Sequence, residues 1–266
     1  MTVSAHIPHI AYRAEGGVAW LVIDQPARMN AMTFDMWTGL ADCVARAEAD
    51  DGVRVIAITG AGERAFCAGA DISQFGTMRT GEAAVAAYDR AVARGNAALA
   101  DAVKPTVAVI SGICYGGGFG LAMCCDLRIA ASGSRFRIPA ARLGLGYGYG
   151  GTDLMVRKLG MGPVADLLLS ARVLEAQEAQ GLGVINALFP VDSFRTDATA
   201  YLARIAANAP LTLRAIKRAL VEMTKAERDR DAGAVDALVA ACFASTDYRE
   251  GQLAFREKRE PVFTGR

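Results

Sequence analysis

Two stretches of this chain are rich in bare backbone where a reaction would need it. Residues 112–126 read GICYGGGFGLAMCCD, and residues 65–75 read AFCAGADISQF. In the first, a strand ending at Ser111-Gly112 is followed by Gly116-Gly117-Gly118, which open a helix. Free N–H groups at a helix N-terminus carry partial positive charge from the aligned peptide dipoles. With no Cβ atoms in the way, a ligand oxygen can come close to them. Such a corner suits an oxygen that is anionic or becomes so during a reaction. The same glycines would equally suit close packing of the helix on a neighbour. The second stretch also comes after a strand and loop, sets Gly69 between alanines, and has Asp71 to cap the next turn. Two such corners in one core could supply two N–H groups to a single oxygen.

Composition narrows the rest of the chemistry. The only histidines are His6 and His9, in a polar leader ahead of the first strand pattern. The core therefore has no histidine base, which excludes Ser–His, Cys–His and histidine–metal chemistry there. Cys43, Cys67, Cys114, Cys124, Cys125 and Cys242 form no C-x-x-C pair and no disulfide framework. They read as buried thiols of a reducing compartment, and no metal is expected. GYGYGG (146–151) has the form G-x-G-x-x-G. A glycine-rich loop after Pro139 precedes it where a dinucleotide fingerprint needs a strand, so that reading fails.

The formal net charge is +1, with both signs interspersed, and a nucleic-acid partner is not expected. Arg214–Lys217–Arg218 and Arg256–Lys258–Arg259 read as solvated helix faces. Residues 105–125 carry no charge. Pro105 and the glycine triplet make that run a buried strand, turn and helix rather than a membrane span. The N-terminus lacks the basic-then-apolar order of a secretion signal, so a cytoplasmic location is expected.

The elements that must hold these corners can be read from periodicity. VAWLVID (18–24), VRVIAITG (53–60), TVAVIS (106–111), LRIAA (127–131), RFRI (135–138) and VINALF (184–189) read as strands. Helical patterns cover 35–50, 81–103, 151–159, 163–170 and 175–181. Strands alternating with helices imply an α/β domain with crossover connections. From about 193 onward the pattern is almost wholly helical. The expected organisation is an α/β core over 1–192 and a helical C-terminal region over 193–266.

The motifs taken together resemble a known family. AFCAGADI, KPTVAVISGICYGGGFGLAMCCDLRIAA and IPAARLGLGYGYGGT are similar to the crotonase (enoyl-CoA hydratase/isomerase) superfamily, as are DQPARMNAMT and STDYREGQLAFREKREPVFTG near the two ends. The resemblance implies a spiral of ββα turns, a helical C-terminal part that supports homotrimers or dimers of trimers, and a coenzyme A thioester ligand. It implies no separate cofactor, because coenzyme A is part of the substrate. Motif position assigns the two N–H groups of an oxyanion hole, which would hold a thioester enolate, to Ala70 and Gly117. It assigns the coenzyme A path to Ala27, Arg28, Met29, Ala68, Asp71 and Ile72. Phe255 and Lys258 match a tail pair that closes over the nucleotide, in many members from a neighbouring subunit.

One part of the family pattern is missing. Hydratases of the family use two glutamates for proton transfer, and their positions hold Gly120 and Ala140 here. A third placement of an acidic group falls on Gly148. Tyr147 matches a tyrosine of the methylmalonyl-CoA decarboxylase-like branch, which typically also has a histidine where this chain has Ala70. Tyr147 and Tyr149 read either as functional or as pocket lining. Decarboxylation of a malonyl-type CoA ester, or another lyase or isomerase reaction, is expected ahead of hydration. The alternatives are a hydratase using Glu82 or Asp89, and an acyl-CoA-binding protein without catalysis.

Overall fold

The computed structural model describes residues 9–74, 76 and 80–266. His6, and Phe75 at the end of the second glycine-rich stretch, lie outside them. Among the described residues, ten strands divide between two sheets. The large sheet has the order β1-β2-β3-β5-β7-β10, with β1 Ile10–Glu15, β2 Val18–Ile23, β3 Val55–Gly60, β5 Thr106–Ile110, β7 Leu127–Ala131 and β10 Ala187–Phe189. The first pair is an antiparallel hairpin, and every later pairing in this sheet is parallel. The small sheet, in the order β4-β6-β8-β9, consists of β4 Ala65–Cys67, β6 Ile113–Tyr115, β8 Arg135–Arg137 and β9 Leu174–Glu175. The chain passes from a long strand to a short one and then into a helix, and repeats this. That is the expected spiral of ββα turns.

The large sheet is apolar on both faces because both are covered, as parallel sheets require. Alternate side chains take opposite sides. Ile56, Ile58, Ala108 and Ile110 point toward α1 (Phe34–Ala49), α2 (Glu82–Ala100) and α3 (Gly117–Cys124). Val55, Ala57, Val107, Val109 and Ile129 point the other way, against Phe194, Ala198 and Leu202 of a helix over Phe194–Ala206. Residues 105–125 form the buried strand and helix expected, β5 and α3, with the short strand β6 lying where only a turn was expected. Among the described residues no helix is long and apolar enough to cross a membrane.

Two expectations need correcting. The strand expected over 184–189 is only Ala187–Phe189. The Val184 and Ile185 N–H groups instead bond to the Ala179 carbonyl and finish the preceding helical turn. Lys217 is not on a solvated face. It is 4% exposed, and its Nζ lies 2.7 Å from both carboxylate oxygens of Asp126. The Asp126 carboxylate also accepts from the N–H and hydroxyl of Thr106. The helix over Pro210–Met223 is thereby tied to the start of β5.

Candidate active site

The two glycine corners meet. After β4 the chain turns through Ala68-Gly69-Ala70, and this turn is laced to residues 29–32. Ala68 N–H donates to Met29 O (3.0 Å), Met32 N–H to Gly69 O (2.7 Å) and Asp71 N–H to Met32 O (2.9 Å). Gly69 N–H donates to Cys67 Sγ at 3.3 Å. The N–H left over is that of Ala70, which has no partner among the described residues.

At the other corner the Gly116 N–H donates to Arg137 O (2.8 Å), and Gly117 starts α3 with its own N–H unclaimed. The triplet has three separate causes. Gly116 adopts φ 52°, ψ −118°, which a side chain would oppose. Gly118 leaves room for Cys67: a Cβ there would stand 2.4 Å from the Cys67 carbonyl oxygen and 2.7 Å from its Cβ. Gly117 faces the other corner. A Cβ on it would lie 3.5 Å from Ala70 N, and one on Gly69 would lie 3.2 Å from Gly117 N. Packing thus explains Gly118, while two adjacent free donors remain at Ala70 and Gly117.

A one-turn helix, Pro26–Arg28, flanks the first corner. Asn30, buried at φ 55°, holds it there: its amide donates to Ala61 O (3.0 Å) and Ala65 O (2.7 Å), and its Oδ1 accepts from Gln25 N–H (3.0 Å). Arg28 Nη1 reaches Asp71 Oδ2 at 2.7 Å and Ser73 Oγ at 2.5 Å. Burial works to raise the Asp71 carboxyl, but the Ser73 and Arg28 hydrogen bonds outweigh it and hold the group below its usual value. The guanidinium side chain is still 55% exposed, so it can meet an anionic ligand. Ile72 is 72% exposed on the same rim. Ala27, Arg28, Met29, Ala68, Ala70, Asp71 and Ile72 therefore share one corner with Gly117. Phe255 and Lys258 do not join it in a single chain. They lie at the end of the helix over Thr246–Glu257, which packs on the helix over Ala232–Ala244. Phe255 is 85% exposed and lines an apolar groove with Phe243 and Ile216.

The opposite wall is aromatic. A Cβ on Gly120 would lie 3.8 Å from Tyr147 Oη, and one on Gly151 would lie 3.1 Å from Tyr147 Cε1. The ring thus lies between α3 and the helix over Tyr149–Leu159. Burial, and after it Cys124, pushes the phenol up to about 12. No other group of the described residues perturbs it, and its hydroxyl has no hydrogen-bond partner among them. Tyr149, by contrast, is 86% exposed. Trp37 of α1, which the sequence did not single out, has Cζ2 3.5 Å from the position of a Gly117 Cβ. Among the described residues no cluster of three or more His, Cys, Asp or Glu could hold a metal ion.

The family model for enoyl-CoA hydratase/isomerase matches residues 13–266. The chain belongs to that family. A crotonyl-CoA hydratase of Syntrophomonas wolfei is 35% identical over 257 residues, 96% of this chain and 97% of that protein. A carnitinyl-CoA dehydratase of Proteus mirabilis is 33% identical over 255 residues, 94% of this chain and 96% of that protein. The crystal structure of an enoyl-CoA hydratase/carnithine racemase from Magnetospirillum magneticum matches with a TM-score of 0.90 at 32% identity, covering 98% of this chain and 97% of that one. As a member of the enoyl-CoA hydratase/isomerase family the protein is an enzyme, and acyl-CoA thioesters fit it as substrates.

The positions where the resemblance marks carboxylates hold small side chains or none. Gly120 is on α3 facing the Tyr147 hydroxyl. Ala140 begins a short helix, Ala140–Leu143, with its methyl packed on the core. It comes after Pro139, whose Cδ is 3.8 Å from the position of a Gly116 Cβ. Gly148 caps the helix over Tyr149–Leu159 in open space. Glu82 and Asp89 are both exposed on α2.

Proposed function

We propose that this member of the enoyl-CoA hydratase/isomerase family stabilises a thioester enolate with the Ala70 and Gly117 N–H groups and generates it by decarboxylating a malonyl-type CoA ester. The observation that carries this reading is the Tyr147 hydroxyl opposite Gly120. A neutral phenol stands where a carboxylate side chain would otherwise project, and no carboxylate of the described residues perturbs it. Hydration needs a base to activate water and an acid to protonate the α-carbon. Decarboxylation needs neither to start. The bond between the α-carbon and the carboxylate breaks, its electron pair enters the thioester as an enolate, and CO₂ leaves. The two N–H groups accept the charge that develops on the carbonyl oxygen. A proton then goes to the α-carbon, from Tyr147 or from water positioned by it, and solvent restores the phenol. An acidic side chain in this pocket would hinder binding of the substrate carboxylate through like-charge repulsion.

The names of the hydratase and dehydratase relatives favour a second reading, hydration with Glu82 or Asp89 as the acid–base group. Both carboxylates are exposed on α2, so this reading needs one of them to turn into the site. Coenzyme A would run along Ala27, Arg28, Met29, Ala68, Asp71 and Ile72. Phe255 and Lys258 of another copy would close over it, in a homotrimer or dimer of trimers formed through the exposed apolar side of residues 193–266. No cofactor beyond the substrate's own coenzyme A is proposed. The free, mostly buried cysteines suit a reducing, cytoplasmic setting.

The test is turnover of malonyl-CoA, methylmalonyl-CoA and crotonyl-CoA by the same preparation. Release of CO₂ from either of the first two supports the proposal. Hydration of crotonyl-CoA at about 1–1,000 per second, with no CO₂ released, replaces it with the second reading. Coenzyme A binding without turnover of any of them makes the protein a non-catalytic acyl-CoA binder.

A further inference from the structure

Trp37 is 1% exposed, yet its indole N–H has no hydrogen-bond partner among the described residues. Buried tryptophan N–H groups usually find an acceptor, and a donor left without one is destabilising. Phenylalanine would fill most of the same space without that penalty. The ring is wedged between two glycines. Cε3 lies 3.5 Å from the position of a Gly95 Cβ, against α2, and Cζ2 lies 3.5 Å from the position of a Gly117 Cβ. Nε1 is two bonds from Cζ2 on the pyrrole side of the ring, so the orphan donor sits beside the residue that offers a free backbone N–H. The Tyr147 hydroxyl, also without a partner, is one helical turn further along α3, opposite Gly120.

We infer that the Trp37 indole N–H is a specificity element of the acyl pocket, taking a hydrogen-bond acceptor oxygen carried on the acyl group next to the thioester carbonyl. The inference rests on the reading of Ala70 and Gly117 as the carbonyl site. It deepens the proposed function, since the acceptor a malonyl-type ester carries next to its thioester carbonyl is its carboxylate. A neutral donor suits this task better than a cation would. It orients the carboxylate without the strong stabilisation of a salt bridge, which would have to be given up as the group leaves as neutral CO₂. An acyl group without an acceptor would leave the indole unpaired in the complex and so be selected against.

The experiment compares sulfoacetyl-CoA, an anionic acceptor that cannot lose CO₂, with propionyl-CoA, which has a methyl group in that place. Equilibrium binding is measured on the parent and on Trp37→Phe. The Trp37 indole ¹⁵N–¹H resonance of the parent, separated from that of Trp20 by a Trp20→Phe control, is tracked through both titrations. The expected result is a downfield shift of the Trp37 resonance with sulfoacetyl-CoA only. Trp37→Phe should weaken sulfoacetyl-CoA binding by about 10- to 100-fold while leaving propionyl-CoA binding within about twofold. An indole resonance that responds alike to both ligands overturns the inference. So does a Trp37→Phe variant with the parent's preference. The resonance assay uses the parent indole, so it decides even if Trp37→Phe folds poorly. Malonyl-CoA turnover, assayed in parallel, separates the two claims. A selective indole response without turnover keeps the acceptor site and removes decarboxylation, whereas turnover without the response does the reverse.

Discussion

At the scale of single residues, the site is a set of donors with little acid–base chemistry around them. Gly117 is the clearest test, because its N–H and its shape can be changed separately. It is the first residue of α3, where proline is tolerated, and a Cβ there would meet its neighbours at 3.5 Å, an ordinary contact. Gly117→Ala keeps the donor but sets a methyl group 3.5 Å from Ala70 N, so it should lose less activity than Gly117→Pro. Gly117→Pro removes the donor and should lower turnover by about 100- to 1,000-fold, with coenzyme A affinity as the control. Equal activity in the two variants would take Gly117 out of the mechanism. Tyr147 is tested by Tyr147→Phe, which keeps the ring. The expected loss is about 100- to 10,000-fold in turnover of the malonyl-type ester, with little change in coenzyme A affinity. Burial raises the phenol from 10.0 to about 12, so it keeps its proton through the usual alkaline range. The rate should therefore show no alkaline fall near 10 that Tyr147→Phe abolishes. A fall there would mean that the phenol is solvated during turnover.

Secondary elements decide how closely the two corners approach, and Gly118 is where that spacing is set. Its missing Cβ is what lets α3 lie against Cys67 at the end of β4. Gly118→Ala would drive a methyl group to 2.4 Å from the Cys67 carbonyl oxygen, a backbone atom that no rotamer change can move. Overpacking of this kind costs about 1–3 kcal/mol. It should appear as a lower denaturation midpoint and as lost activity, since the shift would separate Ala70 from Gly117. A variant with the parent's stability and activity would count against the close contact. This level also shows what the sequence could and could not convey. The long strands β2, β3, β5 and β7 were legible because both faces are apolar and turn residues bound them. The three-residue strands β4 and β6 and the two-residue β9 were not, because they are short and lack alternation, whereas the equally short β8 was legible from the polar–apolar alternation of RFRI. Nor was β1, whose exposed, charged edge reads like the polar leader before it. The glycine corners were legible as a pair because free N–H groups need bare backbone. Trp37 was not, because on an amphipathic helix an apolar ring reads as core. Only its unpaired N–H, a property of the fold, distinguishes it.

For the molecule as a whole, buried thiols against buried ammonium groups set the dependence of stability on alkaline pH. Burial raises Cys43 and Cys124 from 9.0 to about 11 and Cys67 and Cys125 to about 12, and it raises Cys114 as well. Above 9 an unfolded chain loses protons that the folded chain keeps. The thiols' contribution is thus complete below 9 and is lost as pH rises through 11 to 12. Lys158 acts in the other direction. Burial first, and then Arg128, lowers its ammonium from 10.5 to about 8, while its Nζ donates to the carbonyls of Met123 and Cys125 at the end of α3. Between 8 and 10.5 the unfolded chain holds more of this proton, so Lys158 makes stability rise with pH. Lys104, lowered by burial, pulls the same way. From 8 to 9 Lys158 acts ahead of the thiols, and above 9 five thiols oppose it, joined above 10 by the raised Tyr147 phenol. In reducing buffer the denaturation midpoint should hold or rise slightly up to 9 and then fall steeply. Lys158→Met should remove the small rise and make the fall between 9 and 10.5 steeper, because the opposing contribution is gone and Cys124 and Cys125 lose a neighbouring charge that favours their thiolates. Replacing Cys124 and Cys125 with alanine should make the fall shallower. A midpoint that stays level from 9 to 11 in the parent would mean that the thiols ionise equally well in the folded chain. They would then not be sealed in the core that holds the two corners together.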